Sequence, residues 1–338
     1  MRLKPEISSP LASVLLGALT LTALTGLTGC ADPSGRARQG TAGAEPPDAA
    51  GSVDLGARIT VFTDRITQNG HYRVPADSDR RAVTDGVRHL LDGDHAAAER
   101  SLAGVGYALR TLADRQDGRR YAEIADATPE GETTRGWGRV YLDLHGPARW
   151  SVQVPHPSAD QRTEQLGIGL LRGAPGGVLI LAGAHRNAAA NGDAAANGDG
   201  ADADAADVAH RADSVFAAVA AVLADRGLPA VQVHGFADSS LPDRDVVVSP
   251  GKGDAGLPAG RRLSAALGRE GLRVCEVWRR YCGRLEGRTN VEGDHADAVR
   301  VPFLHVEHSR TVRMDDGLVA KAVRALTEVV RRWSAGRG

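Results

Sequence analysis

Residues 154–164, VPHPSADQRTE, end an alternating apolar strand with a histidine and set two carboxylates close behind it. An imidazole and a carboxylate so near in sequence can clasp one divalent ion. Hydrolytic zinc sites use three protein ligands and leave an open position where water is bound and acidified. His156, Asp160 and His234 would supply such a set, with His234 following an expected strand at 230–233. Glu164 competes with Asp160 for the carboxylate place; otherwise it caps the next helix or orients a ligand from behind. A lone histidine after a strand is more often a plain loop residue. Here several polar groups reach strand ends together, where open α/β sheets gather their active sites.

Glu307 is the preferred general base. Side chains alternate along a strand, so His305, Glu307 and Ser309 share one face while Leu304, Val306 and His308 take the other. A carboxylate among strand hydrophobics is costly unless it meets a cation, a donor or a catalytic water. A salt bridge to Arg310 or Arg313 is the bland reading. It does not compete with catalysis, because an arginine beside the base suits bidentate binding of a substrate carboxylate. Arg313 is the first choice for that duty and Arg186 the second. His185 either shapes the pocket or is a loop residue with no role.

The elements that must present these groups follow from periodicity. Apolar spacings of three and four predict helices over 78–91 and 94–112, the latter capped by Asp94. Strands are expected at 121–124, 138–144 and 150–154, separated by polar and Gly/Pro turns. Beyond His156, helices (161–171, 212–225, 259–269, 316–333) alternate with strands (178–182, 230–233, 246–248, 272–277, 303–307). That alternation predicts an α/β fold with a mixed, mainly parallel sheet covered by helices on both faces. Helical elements at 53–115 precede an α/β hydrolytic region at 116–338, and no second complete domain is required. Residues 187–207 are almost entirely Ala, Asn, Gly and Asp, with AAANGD twice, and read as a disordered insertion. Their aspartates lack the spacing of a calcium-binding EF-hand.

From about Val154 to Arg313 the chain resembles the phage-type poly-γ-glutamate hydrolases, which share the fold of zinc carboxypeptidases. HPSADQRTE is similar to that family's first ligand segment, VQVHGFAD to its His-Gly strand end, and VEHSRTVR to its late strand with glutamate, serine and arginine. The resemblance implies one zinc ion held by His156, Asp160 and His234, a base at Glu307, substrate contacts from Arg313, and a place for Asn290 of GRTNVEG in the loop before that strand. It implies hydrolysis of an amide in a carboxylate-bearing, peptide-like substrate. The chain departs from the family where Pro157 and Ser158 replace glycines, where the first carboxylate is an aspartate one position closer, and in the insertion.

The N-terminus reads as an address. Arg2 and Lys4 precede an uncharged apolar run, and LTGC at 27–30 resembles the lipobox of bacterial lipoproteins. That resemblance implies lipidation of Cys30, with residues 1–29 removed and the mature chain tethered to the outer face of a membrane; an ordinary secretory signal or a single membrane anchor is the alternative. Residues 30–52, rich in Ala, Gly, Pro and Asp, form a flexible tether. Cys275 and Cys282 remain, and outside the cytoplasm they can pair if their Cα atoms approach closely.

The 41 Lys and Arg nearly cancel the 42 Asp and Glu, so no concentrated basic face favours nucleic acid. No GxSxG elbow marks a serine hydrolase, and in the glycine-rich run at 249–256 the lysine, Lys252, does not come directly before Ser or Thr as a P-loop lysine does. The rival to a hydrolase is a non-catalytic lipoprotein that binds peptide or cell-wall fragments in the same cleft.

Overall fold

The computed structural model describes residues 51–190 and 204–336. In the first part β1 (Gly51–Val53), α1 (Leu55–Thr63), β2 (His71–Tyr72), α2 (Asp77–Leu91) and α3 (His95–Ala103) lead to β3 (Tyr107–Asp114), β4 (Arg120–Asp126), α4 (Glu132–Arg135) and β5 (Arg139–Asp143). Next come β6 (Trp150–Val154), α5 (Thr163–Gly173), β7 (Gly177–Leu181), β8 (Ala189–Ala190) and α6 (Val215–Asp225). The last part holds β9 (Ala230–Phe236), β10 (Val246–Ser249), α7 (Leu257–Arg269), β11 (Val274–Glu276), α8 (Val291–Ala298), β12 (Phe303–Ser309), α9 (Arg310–Met314) and α10 (Asp316–Ser334).

One ten-stranded sheet runs in the order β1-β3-β4-β5-β7-β6-β9-β12-β10-β11. Its central strands β7, β6, β9 and β12 are mutually parallel; β5 and β10 flank them antiparallel, and β4 pairs antiparallel with both β3 and β5. Every residue of β6 and β7 is buried, as expected for parallel strands covered on both faces. Alternation sorts the side chains. Val152, Val154, Val231, Val233, Leu304 and Val306 join the core under α1, α5, α7 and α10. The opposite face packs Val178, Ile180, Val140 and Leu142 against α2, α3 and α6. The expected α/β class, mixed sheet and helices on both faces are what the molecule has.

Residues 94–112 depart from the expected single helix. Asp94 does cap, accepting from the Ala97 amide at 2.9 Å, but the helix stops at Ala103 and the chain continues as β3. The turn needs Gly106 at φ +70°, and a side chain there would strike Thr128. Leu109 and Leu112 fit either period, and pairing with β1 on one side and β4 on the other decides for strand. The segment 53–115 thus supplies β3 and the last residue of β1 to the main sheet besides its helices.

Candidate metal centre

His156 leaves the sheet two residues after β6. The next turn closes with the Asp160 amide donating to the His156 carbonyl at 2.9 Å, which folds the carboxylate back toward the imidazole. His234 is the fifth residue of β9, on the face opposite Val231 and Val233. His156, Asp160 and His234 offer ligand atoms that all lie within 4.8 Å of one another, and all three residues are buried. Each imidazole turns Nδ1 to the same carboxylate oxygen, Asp160 Oδ2, at 3.5 Å from His156 and 3.3 Å from His234.

The other ring nitrogens are already engaged. His156 Nε2 lies 2.7 Å from Asp207 Oδ1, and His234 Nε2 lies 2.9 Å from Gln232 Oε1. Both partners accept, so each Nε2 carries its hydrogen and each Nδ1 presents a lone pair in the neutral ring. Two such lone pairs facing a carboxylate oxygen repel unless a cation stands among them. His156 Nδ1 is buried with no hydrogen-bond partner among the described residues. Two imidazoles and a carboxylate with one such orphaned nitrogen fit a divalent ion.

The electrostatics agree. Burial opposes charge on His156, but Asp160 and Asp207 outweigh it and raise its pKa to about 9, so without a metal Nδ1 holds a proton toward Asp160 at neutral pH, and a metal cation would take that proton's place. Asp160 is buried, yet His156 and His234 hold its pKa well below the usual carboxylate range. Burial, followed by the charge of His305, pulls His234 down to about 4, leaving it the neutral ring that metals require.

Beside the three donors, β12 lies parallel to β9 with Glu307 in register with His234, so the two backbones are about 4.8 Å apart. Glu307 Oε2 is buried without a partner among the described residues, and Oε1 lies 3.4 Å from His305 Nε2. His156, Asp160, His234, His305 and Glu307 line one cleft of about 620 Å³. Arg186 and Asn290 line it too, and its outer wall is the loop at 281–289, with Tyr281, Arg284 and Arg288. Cys275 and Cys282 are joined by a disulfide that ties this loop to β11.

Other expected residues sit elsewhere. Glu164, in the first turn of α5, is buried and hydrogen-bonds Gln165, whose amide reaches Thr60 on α1. It stands outside the donor trio, so Asp160 takes the carboxylate place. His185 is half-buried and lines a separate, smaller pocket. Arg313 departs most from expectation. Its guanidinium donates to the carbonyls of Asp160, Gln161, Phe236 and His308, which leaves it buried and outside the lining of the cleft. Gly235 makes room for it, since a Cβ there would come within 2.3 Å of Arg313 Nε.

Sequence reasoning missed Asp207, because it closes the stretch 187–207 assigned to a disordered insertion. Residues 191–203 lie outside the described residues, but 204–207 are described. Asp207 is buried and also meets Arg186 and His210. Its signal was available: it ends the Ala/Asn/Gly/Asp run where larger apolar residues resume at Val208. Gln232 was legible only as the residue sharing a strand face with His234. The lipobox-like Cys30 lies outside the described residues, and among those described no helix is long and apolar enough to cross a membrane.

No protein-family model and no curated protein matches this chain. Solved structures similar to it include a bacteriophage poly-gamma-glutamate hydrolase, with 12% identity and a TM-score of 0.35 over 58% of this chain and 87% of that one. Others are a metallo-carboxypeptidase from Burkholderia cenocepacia (14% identity, TM-score 0.35, 71% of this chain and 69% of that one) and an aspartoacylase family protein from Mesorhizobium loti (10%, 0.34, 65% and 66%). The functional reading below rests on the side chains of the cleft.

Proposed function

We propose that this chain is an exported, lipid-tethered, zinc-dependent amide hydrolase that cleaves a carboxylate-bearing substrate of γ-glutamyl or cell-wall peptide type. The observation that carries the proposal is the convergence of His156 Nδ1, His234 Nδ1 and Asp160 on one point of a cleft whose neighbouring strand presents Glu307. Zinc there would supply a Lewis acid and a water of lowered pKa, as in hydrolytic sites with two histidines and one carboxylate.

The chain's own groups supply the rest. Glu307 Oε2, without a partner among the described residues, takes a proton from water and returns it to the leaving nitrogen. His305 Nε2 stands 3.4 Å from Oε1, beside the carboxyl's other edge. Arg313 is not placed to hold the substrate carboxylate, because it is buried outside the lining of the cleft with four of its five N–H groups on backbone carbonyls. Arg186, Arg284 and Arg288 on the cleft wall take that duty. Among the described residues Arg284 has no ion-pair partner, whereas Arg186 is shared with Asp207 and Arg288 with Glu286. Asn290 serves the site from below, its amide donating to Gln232 Oε1 beside His234. The lipobox-like LTGC and the Cys275–Cys282 bridge support a place outside the cytoplasm.

The deciding experiment is metal analysis of the purified protein together with hydrolysis of γ-glutamyl peptides, peptidoglycan stem peptides and N-acylated amino acids. About one zinc per chain is expected, with turnover lost to a chelator and restored by zinc. A protein that binds these peptides without metal and without cleaving them is instead a binding lipoprotein.

A further inference from the structure

Beneath the donor trio the sheet face that should be apolar is polar. Gln153 on β6 and Gln232 on β9 lie side by side in register, and both are buried. Gln232 Nε2 donates to Gln153 Oε1 at 3.1 Å and to Glu292 Oε2 at 3.0 Å. Glu292, the second residue of α8, is only 4% exposed, and its Oε1 has no partner among the described residues. A buried carboxyl with so few partners is costly, and a leucine would fill the same place at less expense. Its position has to be explained by what it does to Gln232.

An amide side chain can be turned end for end, and only its partners decide which end faces where. Burial pushes the pKa of the Glu292 carboxyl up to about 7, but with or without a proton on Oε1 its Oε2 accepts from Gln232, so Glu292 draws the NH2 of Gln232 toward α8 and turns the Oε1 of Gln232 toward the site. Oε1 then accepts from Asn290 Nδ2 and stands 2.9 Å from His234 Nε2, closer than the Asn290 amide nitrogen at 3.3 Å, which is already donating to Oε1. An oxygen at that place holds the hydrogen of His234 on Nε2 and leaves Nδ1 bare, 3.3 Å from Asp160 Oδ2.

We propose that Glu292 and Gln232 form a positioning relay that fixes the tautomer and ring orientation of His234. The proposal deepens the metal-site reading above and rests on it for its consequence, metal affinity; the tautomer itself is a property of the metal-free chain. His156 is oriented separately, by Asp207, so the two ligands are set by independent devices, one anionic and one built from a neutral amide backed by an acid.

The test reads both properties. Imidazole nitrogen NMR of the metal-free full chain, with the His234 signals assigned by their loss in His234→Gln, is expected to show the Nε2–H tautomer. Zinc affinity is measured in parallel by chelator competition. Gln232→Leu is expected to mix the tautomers and weaken zinc about 10–100-fold, and Glu292→Leu to do the same to a smaller extent. Glu292→Gln keeps an acceptor for the Gln232 amide and should stay near the parent in both readouts. Because a leucine beneath the site can disturb folding, the exchanged pair Gln232→Glu with Glu292→Gln provides the second arm: it keeps an acceptor facing His234 and should retain the Nε2–H tautomer. An Nδ1–H tautomer in the parent, parent-like behaviour in both leucine variants, or loss of the tautomer in the exchanged pair would overturn the relay. A parent that shows the Nε2–H tautomer yet binds no zinc leaves the relay standing and removes the hydrolase reading.

Discussion

Two residues that share a sequence neighbourhood, Glu307 and Arg313, end in opposite circumstances, and the difference governs how each will respond to substitution. Glu307 lines the cleft with Oε2 buried and unpartnered among the described residues. A carboxylate so placed is held for something other than stability. Glu307→Gln is therefore expected to lower kcat by about 10²–10⁴-fold, the range of general acid–base catalysis, with zinc content and thermal midpoint near the parent. Retained turnover in that variant removes Glu307 from the proton-transfer role. Arg313, by contrast, donates to four backbone carbonyls and pins the turn in which Gln161 and Arg162 adopt φ of +41° and +65°. Such backbone is strained in non-glycine residues and persists only when its surroundings impose it. Arg313→Met should cost more than about 2 kcal/mol by leaving buried carbonyls unpaired, and should weaken zinc through displacement of Asp160. A change confined to KM in this variant would restore the substrate-binding role first expected of it.

At the scale of elements, the strands that carry the site were legible because each couples strict alternation to a polar group at its carboxyl end. His156, Asp160, His234 and Glu307 could be placed together for that reason. Arg313 could not be judged from sequence: an arginine shortly after a strand reads the same whether it faces a ligand or four carbonyls, and only the approach permitted by Gly235 distinguishes them. Asp207 was hidden by composition, since low complexity describes the expanded part of a loop and not the residue at which it rejoins the core. The loop at 281–289 shows a third kind of blindness, because its place over the cleft depends on a covalent tie whose closure two isolated cysteines do not guarantee. The Cys275–Cys282 bridge encloses a short loop, and chain-entropy arguments give it about 2–3 kcal/mol. Among the described residues nothing ion-pairs Arg284, so this tie does much to hold the wall. Reduction, or the pair Cys275→Ser and Cys282→Ser, should raise KM for a carboxylate-bearing peptide several-fold with kcat little changed. Equal KM in oxidised and reduced protein would mean that the wall does not touch substrate.

For the molecule as a whole, stability toward acid is set by groups far from the cleft as well as near it. Glu123 is fully buried at the junction of β3, β4 and β5, and meets Arg58 at 2.6 Å and both Arg110 and Arg139 at 3.4 Å. Asp126 pairs with Arg135 at 2.6 Å, and Asp114 with Arg172 at 2.7 Å. Burial resists the ionisation of all three, but their arginines prevail and hold each pKa below its ordinary value. A carboxylate depressed in this way adds stability above its unfolded pKa, about 4, and loses it as pH falls through the folded value. His308 acts earlier on the same limb. Burial lowers its pKa to about 3, so below about pH 6.5 the unfolded chain takes up a proton that the folded chain refuses. Acid unfolding should accordingly proceed in two stages, a gradual fall of the thermal midpoint below about pH 6.5 and a steeper one below about pH 4. His308→Leu should flatten the first stage. Glu123→Gln should lower stability at neutral pH by about 3–5 kcal/mol, as removal of one partner from a buried ion pair does, while flattening the second. Midpoints recorded from pH 3 to 8 on the parent and both variants decide the matter, and an unchanged acid limb in Glu123→Gln would show that the buried arginine network does not set it.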